Sequence, residues 1–181
     1  MKHIVISILL ILSFKSYSQT ILPLDSLSGK VSYSKVVFVD TVIAGDLYRR
    51  AKSWFVESYG SGKDVIQNDD PSVYTIQGKG SFTANYTSMG IVNEWGKVSY
   101  IITIACKDGK YKYNISHFFH ELTGYPAFSI GEITNTMSAT GKSMRQKDVD
   151  GLKEQVQSNS EILIESLRKG MLKPLLSKSE W

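Results

Sequence analysis

The 181-residue sequence predicts an α+β domain, one antiparallel sheet of five strands with two helices on one face, in the order β-α-β-β-β-β-α. Three observations carry this expectation. Residues 31–39, 73–83, 98–107 and 110–122 are rich in β-branched and aromatic side chains. Leu47, Ala51, Trp54, Phe55 and Ser58 recur at helical spacing, as do Val149, Leu152, Val156, Leu163 and Leu167. Asp108 and Gly109 then join two of the extended runs by a turn too short for anything but an antiparallel hairpin.

Taken in order, residues 1–18 have the layout of a signal peptide. Lys2 and His3 precede an apolar run from Ile4 to Phe14, and Ser16, Tyr17 and Ser18 close it. That run has about 11 residues, short of the roughly 20 a helix needs to cross a bilayer, so cleavage near Ser18 and export are expected, to the periplasm or the medium. With the sole cysteine at Cys106 there is no lipid-anchor cysteine behind the run, and no membrane anchor is expected after cleavage.

Residues 19–29 carry Pro23, Gly29 and several serines and read as a flexible lead-in. The domain is expected over residues 30–170, with a tail at residues 171–181. Its first strand, residues 31–39, is followed by a helix that Asp46 or Gly45 could cap and that Gly60 would stop in a left-handed conformation. Residues 64–67 read as a short strand. Residues 73–83 read as a longer one bent or bulged at Gly78 and Gly80. The Asp108–Gly109 hairpin is expected to have a type I′ turn. Residues 123–146 read as a long loop with a short extended piece near residues 127–130, and a helix of about 20 residues closes the domain.

Composition excludes several classes. Loss of Lys2 and Lys15 with the signal peptide lowers the formal charge from +4 to about +2, and the basic residues are dispersed, so no nucleic-acid partner is expected. A single cysteine cannot form an internal disulfide, and Cys106, inside an apolar run, reads as a small core residue.

Four segments resemble a known family: Lys35 to Val39, Asp46 to Phe55 (with Leu47, Tyr48, Arg49 and Arg50), Lys63 to Gln67, and Ile76 to Gly80. They are similar to domain of unknown function 4468, and the similarity spans roughly residues 30–120. The resemblance implies a TATA-binding-protein-like fold, one curved antiparallel sheet with two helices, in an exported bacterial protein. It implies no reaction and transfers no site residue.

The sequence offers few candidate sites. His117, His120 and Glu121 form the one histidine cluster after residue 18, but on a strand the two histidines face opposite ways, so no metal is expected. Gly60 to Lys63 lacks the first glycine and the Ser/Thr of a phosphate-binding loop and reads as a helix stop. No cofactor is expected. What remains is aromatic surface: Tyr111, Tyr113 and His117 share a strand parity, and Trp95 and Tyr125 lie in connections. On an uncovered sheet face these residues would bind a protein, peptide or glycan partner. The function expected is therefore a non-enzymatic binding module of the periplasm or envelope. A small hydrolase around His117, His120 and Glu121, or a structural envelope component, are the alternatives.

Overall fold

The computed structural model describes residues 20–174 apart from Ser61, so the expected signal peptide and residues 175–181 of the tail lie outside the described residues. The chain runs β1 (Ser32–Phe38), α1 (Ala44–Tyr59), one helical turn α2 (Gly62–Val65), β2 (Ile66–Asp70), β3 (Thr75–Ser88), β4 (Ile91–Lys107), β5 (Lys110–Glu121), a 3-10 turn (Pro126–Phe128), β6 (Gly131–Glu132) and α3 (Gln146–Leu172). Every strand pair is antiparallel, in the order β1-β5-β4-β3-β2, and β6 pairs the end of β5. The α+β class, the curved open sheet and the two long helices agree with expectation, and a two-residue sixth strand is added. No described helix is long and apolar enough to cross a membrane.

The core lies between the sheet and the helices. α1 contributes Leu47, Ala51, Trp54 and Phe55, and α3 contributes Val149, Leu152, Val156 and Leu167. They meet Ile76, Val98, Ile102, Ile104 and Ile115 from the sheet. Along β4, residues 98, 100, 102, 104 and 106 are buried while residues 97, 99, 101, 103 and 105 are not. This period of two shows that helices cover one face only.

Small residues let large rings into this core. A Cβ on Gly78 would sit 2.4 Å from the Phe55 ring, and one on Gly170 would sit 2.8 Å from Trp54. Gly170 lets α3 approach α1, where the Trp54 indole N–H donates to Ser166 Oγ at 3.0 Å and Arg50 donates to the carbonyl of Met171 at 2.8 Å. Of the bend or bulge expected at Gly78 and Gly80, one register shift is found, on the β2 side, between Ile66 and Asn68 opposite Gly78 and Gln77. On the β4 side β3 pairs without interruption there, and its bulge falls between Thr83 and Asn85. Both glycines make room for rings, Phe55 over one and Tyr100 over the other.

Other expectations are corrected. Residues 62–65 are helical and the short strand starts at Ile66. β4 begins at Ile91 rather than 98, after a tight turn in which Met89 and Gly90 both have positive φ. Trp95, expected in a connection, therefore lies on a strand. In the Asp108–Gly109 turn only Gly109 has a positive φ, so the turn is not type I′. Asp108 instead accepts the Ala44 N–H at 2.7 Å, capping α1 from another element; neither Asp46 nor Gly45 is the cap. Gly60 does stop α1 in the left-handed region, at φ 72°. α3 has 27 residues rather than about 20.

The lead-in is docked. Leu22 is buried, its N–H and C=O are both bonded to the Asn135 side chain at 2.8 Å, and Leu24 bridges Val31. Asp25 closes the turn that follows, accepting from Ser28 N–H and hydroxyl. These bonds hold its carboxyl below the usual carboxylate range.

Candidate functional site

Strand alternation sends Gln77 of β3, Thr103 of β4 and Asn114 of β5 to the uncovered face. Ladder register places Gln77 opposite Thr103 and Thr103 opposite Asn114, with Ser34 of β1 opposite Asn114 on its other side. A row of uncharged amides and hydroxyls thus crosses four strands, at spacings of roughly 4.8 Å. Gln77 Nε2 donates to Thr103 Oγ1 at 3.2 Å, and Ser32 Oγ donates to Asn114 Oδ1 at 3.3 Å. Gln77, Thr103 and Asn114 of this row line a hollow of about 320 Å3, together with Ile101, Ala105, Lys112, Ser116 and His117.

A second hollow of about 520 Å3 continues along the same face. Its charges are mixed, with Lys79 and Lys97 beside Glu94 and Glu121, and Phe119 is its exposed ring. A groove of about 710 Å3 between α1 and α3 lies on the opposite side of the molecule. Its lining residue Trp54 is tied to Ser166, and four of its charges pair with one another, Lys173 with Glu57 and Lys169 with Glu165. The open sheet face is the better candidate because its polar groups retain bonding capacity.

A single bulge decides which β5 residues reach this face. Tyr111, Tyr113 and Ile115 point to the helices, and strict alternation would send His117 after them. Register shifts between Ser99 and Ile101 opposite residues 116–119, and His117 takes a left-handed φ of 58°. His117 is thereby exposed, and Phe118 and His120 turn inward. The switch of phase separates His117 from Tyr111 and Tyr113, which regular alternation buries under the helices, so the aromatic surface expected from sequence does not form.

Tyr111, Tyr113 and Trp95 are only 1%, 5% and 1% exposed and cannot form a binding surface. Burial pushes the Tyr111 hydroxyl up to about 12. His117 and Tyr125 are exposed, but Tyr125 lies in the 123–146 loop, paired edge-on with Phe128 rather than beside the amide row. Gln77, Thr103 and Asn114 were missed from sequence. Their signal was weak: uncharged polar residues at outward positions of three strands whose register the sequence does not print.

His120 is a structural latch. Its Nε2–H donates to the carbonyl of Trp95 at 2.6 Å, Nδ1 accepts from the Ile130 N–H at 3.0 Å, and its ring packs 4.5 Å from that of Trp95. Trp95 Nε1 in turn donates to the Phe128 carbonyl at 2.7 Å. Together they fasten the segment before β6 to the sheet. Burial keeps the imidazole neutral, with its pKa below 6.5. With both nitrogens committed to backbone, and His117 on the other face, the His117–His120–Glu121 cluster does not assemble. Among the described residues no group of three or more His, Cys, Asp or Glu could hold a metal ion. Cys106 is buried and its thiol is pushed up to about 12, an unreactive state.

The sheet and α1 that build this face are also what the sequence shares with known proteins. Residues 33–121, from β1 to the end of β5, match the family model of the domain of unknown function 4468, described as having a TBP-like fold. Over these residues, just under half of the chain, the sequence resembles the DUF4468 family. Two crystal structures resemble the whole fold. A DUF4468 family protein from Bacteroides ovatus ATCC 8483 has a TM-score of 0.62 at 16% identity, over 85% of this chain and 93% of that one. A TBP-like protein from Parabacteroides distasonis ATCC 8503 has a TM-score of 0.61 at 16% identity, over 84% and 98%. At such identity these likenesses show the fold alone. No curated protein matches the sequence. The DUF4468 match contains every residue of the amide row but stops before α3, which covers the opposite face.

Proposed function

We propose that the chain is an exported, non-enzymatic binding module of the periplasm or cell envelope, and that it works through the open face of its sheet. One observation carries this reading: the row of Ser34, Asn114, Thr103 and Gln77 across an uncovered, hollowed sheet. A face that only needs to be wet is served by long charged side chains, which stay solvated and blunt unwanted contacts. Short amides and hydroxyls at adjacent ladder positions instead form a fixed array of hydrogen-bond groups, the feature that gives a binding site its specificity. The layout of residues 1–18 supports export.

The test is a pull-down from an envelope extract using the mature domain and two variants confirmed as folded by circular dichroism. Thr103→Arg fills the hollow, and Glu165→Lys alters the helix side as a control. Material bound by the parent and the control but lost by Thr103→Arg supports the reading; material bound equally by all three contradicts it.

A second reading, a small hydrolase, rests on one contact. Ser116 Oγ lies 3.0 Å from His117 Nδ1, and both residues line the hollow. Nucleophilic serine chemistry also needs a group that orients the imidazole, and no carboxylate lines this hollow. Hydrolysis of p-nitrophenyl acetate that is abolished by Ser116→Ala would favour this reading.

A further inference from the structure

We propose that the hollow around Asn114 takes a small anionic ligand that also bears a hydroxyl, such as an acidic sugar. This inference deepens the binding-module reading and rests on it. The argument comes from which hydrogen-bonding groups remain after the protein has used its own. Asn114 spends its acceptor, Oδ1, on the Ser32 hydroxyl, which leaves the Nδ2 protons to donate. Thr103 Oγ1 accepts from Gln77 Nε2, so its own proton is left to donate as well. Lys112, exposed and lining the same hollow, stands two residues along β5 from Asn114, a backbone spacing of roughly 7 Å.

The hollow therefore presents a cation and neutral donors, and no aspartate or glutamate lines it. The neighbouring hollow on the same face differs, since Glu94 and Glu121 there offset Lys79 and Lys97. Asp70 on the edge strand β2 is folded back onto its own turn, accepting from the Ser72 N–H and hydroxyl. Donors converging near an ammonium fit an oxyanion, because charge-assisted hydrogen bonds are about twice as strong as neutral ones. The carbonyl oxygen of Gln77, unused among the described residues, accepts a ligand hydroxyl.

A second observation marks the same place. His117 holds a left-handed backbone at the bulge, a conformation uncommon for residues other than glycine. The bulge carries the imidazole from the helix-covered face to this hollow. Bulges re-aim side chains in this way beside functional sites.

The experiment is a titration of the 15N-labelled mature domain, following the side-chain amide resonances of Asn114 and Gln77. The probes are glucuronate, inorganic phosphate and the neutral methyl glucoside. Saturable shifts of both amides with glucuronate, much smaller shifts with the glucoside, and at least roughly tenfold weaker binding by Lys112→Gln but not by Lys112→Arg are expected. Phosphate acting as strongly as glucuronate would support the anion and discard the hydroxyl. Equal shifts with the glucoside would overturn the anion while leaving the open-face reading intact. Amides unmoved by all three probes would overturn the inference, with the pull-down still deciding independently whether the face binds a partner.

Discussion

Gly78 lies so close to the Phe55 ring that any β-carbon must displace it. Overpacking of this kind costs roughly 1–3 kcal/mol, so Gly78→Ala is expected to lower the unfolding free energy by that amount in urea titrations. Combining it with Phe55→Leu should cost less than the sum of the two single changes, since the second substitution removes the clash. Gly96 is constrained twice. It has a φ of 70°, and a Cβ there would lie 2.2 Å from the Glu121 carbonyl oxygen. His120 gives a pH dependence. Its folded pKa lies below the ordinary 6.5, so the unfolded chain takes up the proton first as pH falls. The stability owed to neutral His120 is complete above about pH 6.5 and is lost as pH drops through the folded value. Urea unfolding at pH 7.5 and pH 5 should show the parent losing more stability than His120→Gln, whose amide keeps a donor and an acceptor but does not titrate. At this scale the sequence was least legible. Opposite faces for His117 and His120 followed from parity, but which face the helices cover, and so the burial of Tyr111 and Tyr113, is set by packing, and the bulge that exposes His117 depends on ladder register, which no local signal prints.

At the scale of elements, the hairpin β4–β5 and α1 are joined by one carboxylate. Asp108 turns the hairpin and caps the first N–H of α1. Asp108→Ala should cost about 1 kcal/mol, as cap removal generally does, whereas Asp108→Asn keeps the acceptor and should melt close to the parent. The lead-in makes a comparable long-range tie through Leu22 and Asn135. Leu22→Ala is expected to destabilise by about 2 kcal/mol or more, the cost of a cavity at a fully buried leucine. A disposable lead-in would leave the melting temperature unchanged. Both helices were legible because a 3.6-residue stripe is a local property. The β3–β4 hairpin was not, because its turn is Met89–Gly90, and methionine is a poor signal for a position with positive φ. Pro23 and the serines suggested a mobile lead-in, and a single buried leucine outweighed them.

At the scale of the molecule, two helices on one face leave the other free. The family match covers the sheet that presents the free face. The layered architecture was readable from element order, since an antiparallel sheet with segregated helices has few arrangements. The candidate site was readable only as a face, and not as residues: its array exists because Gln77, Thr103 and Asn114 come level across three strands. The central claim is that this face is the working surface. The most direct measurement places a photo-crosslinking amino acid at Thr103, and separately at Ile162 on the exposed side of α3, in the full chain inside cells. The account predicts a defined adduct by intact mass from position 103 and none from position 162; an adduct confined to position 162 would contradict it.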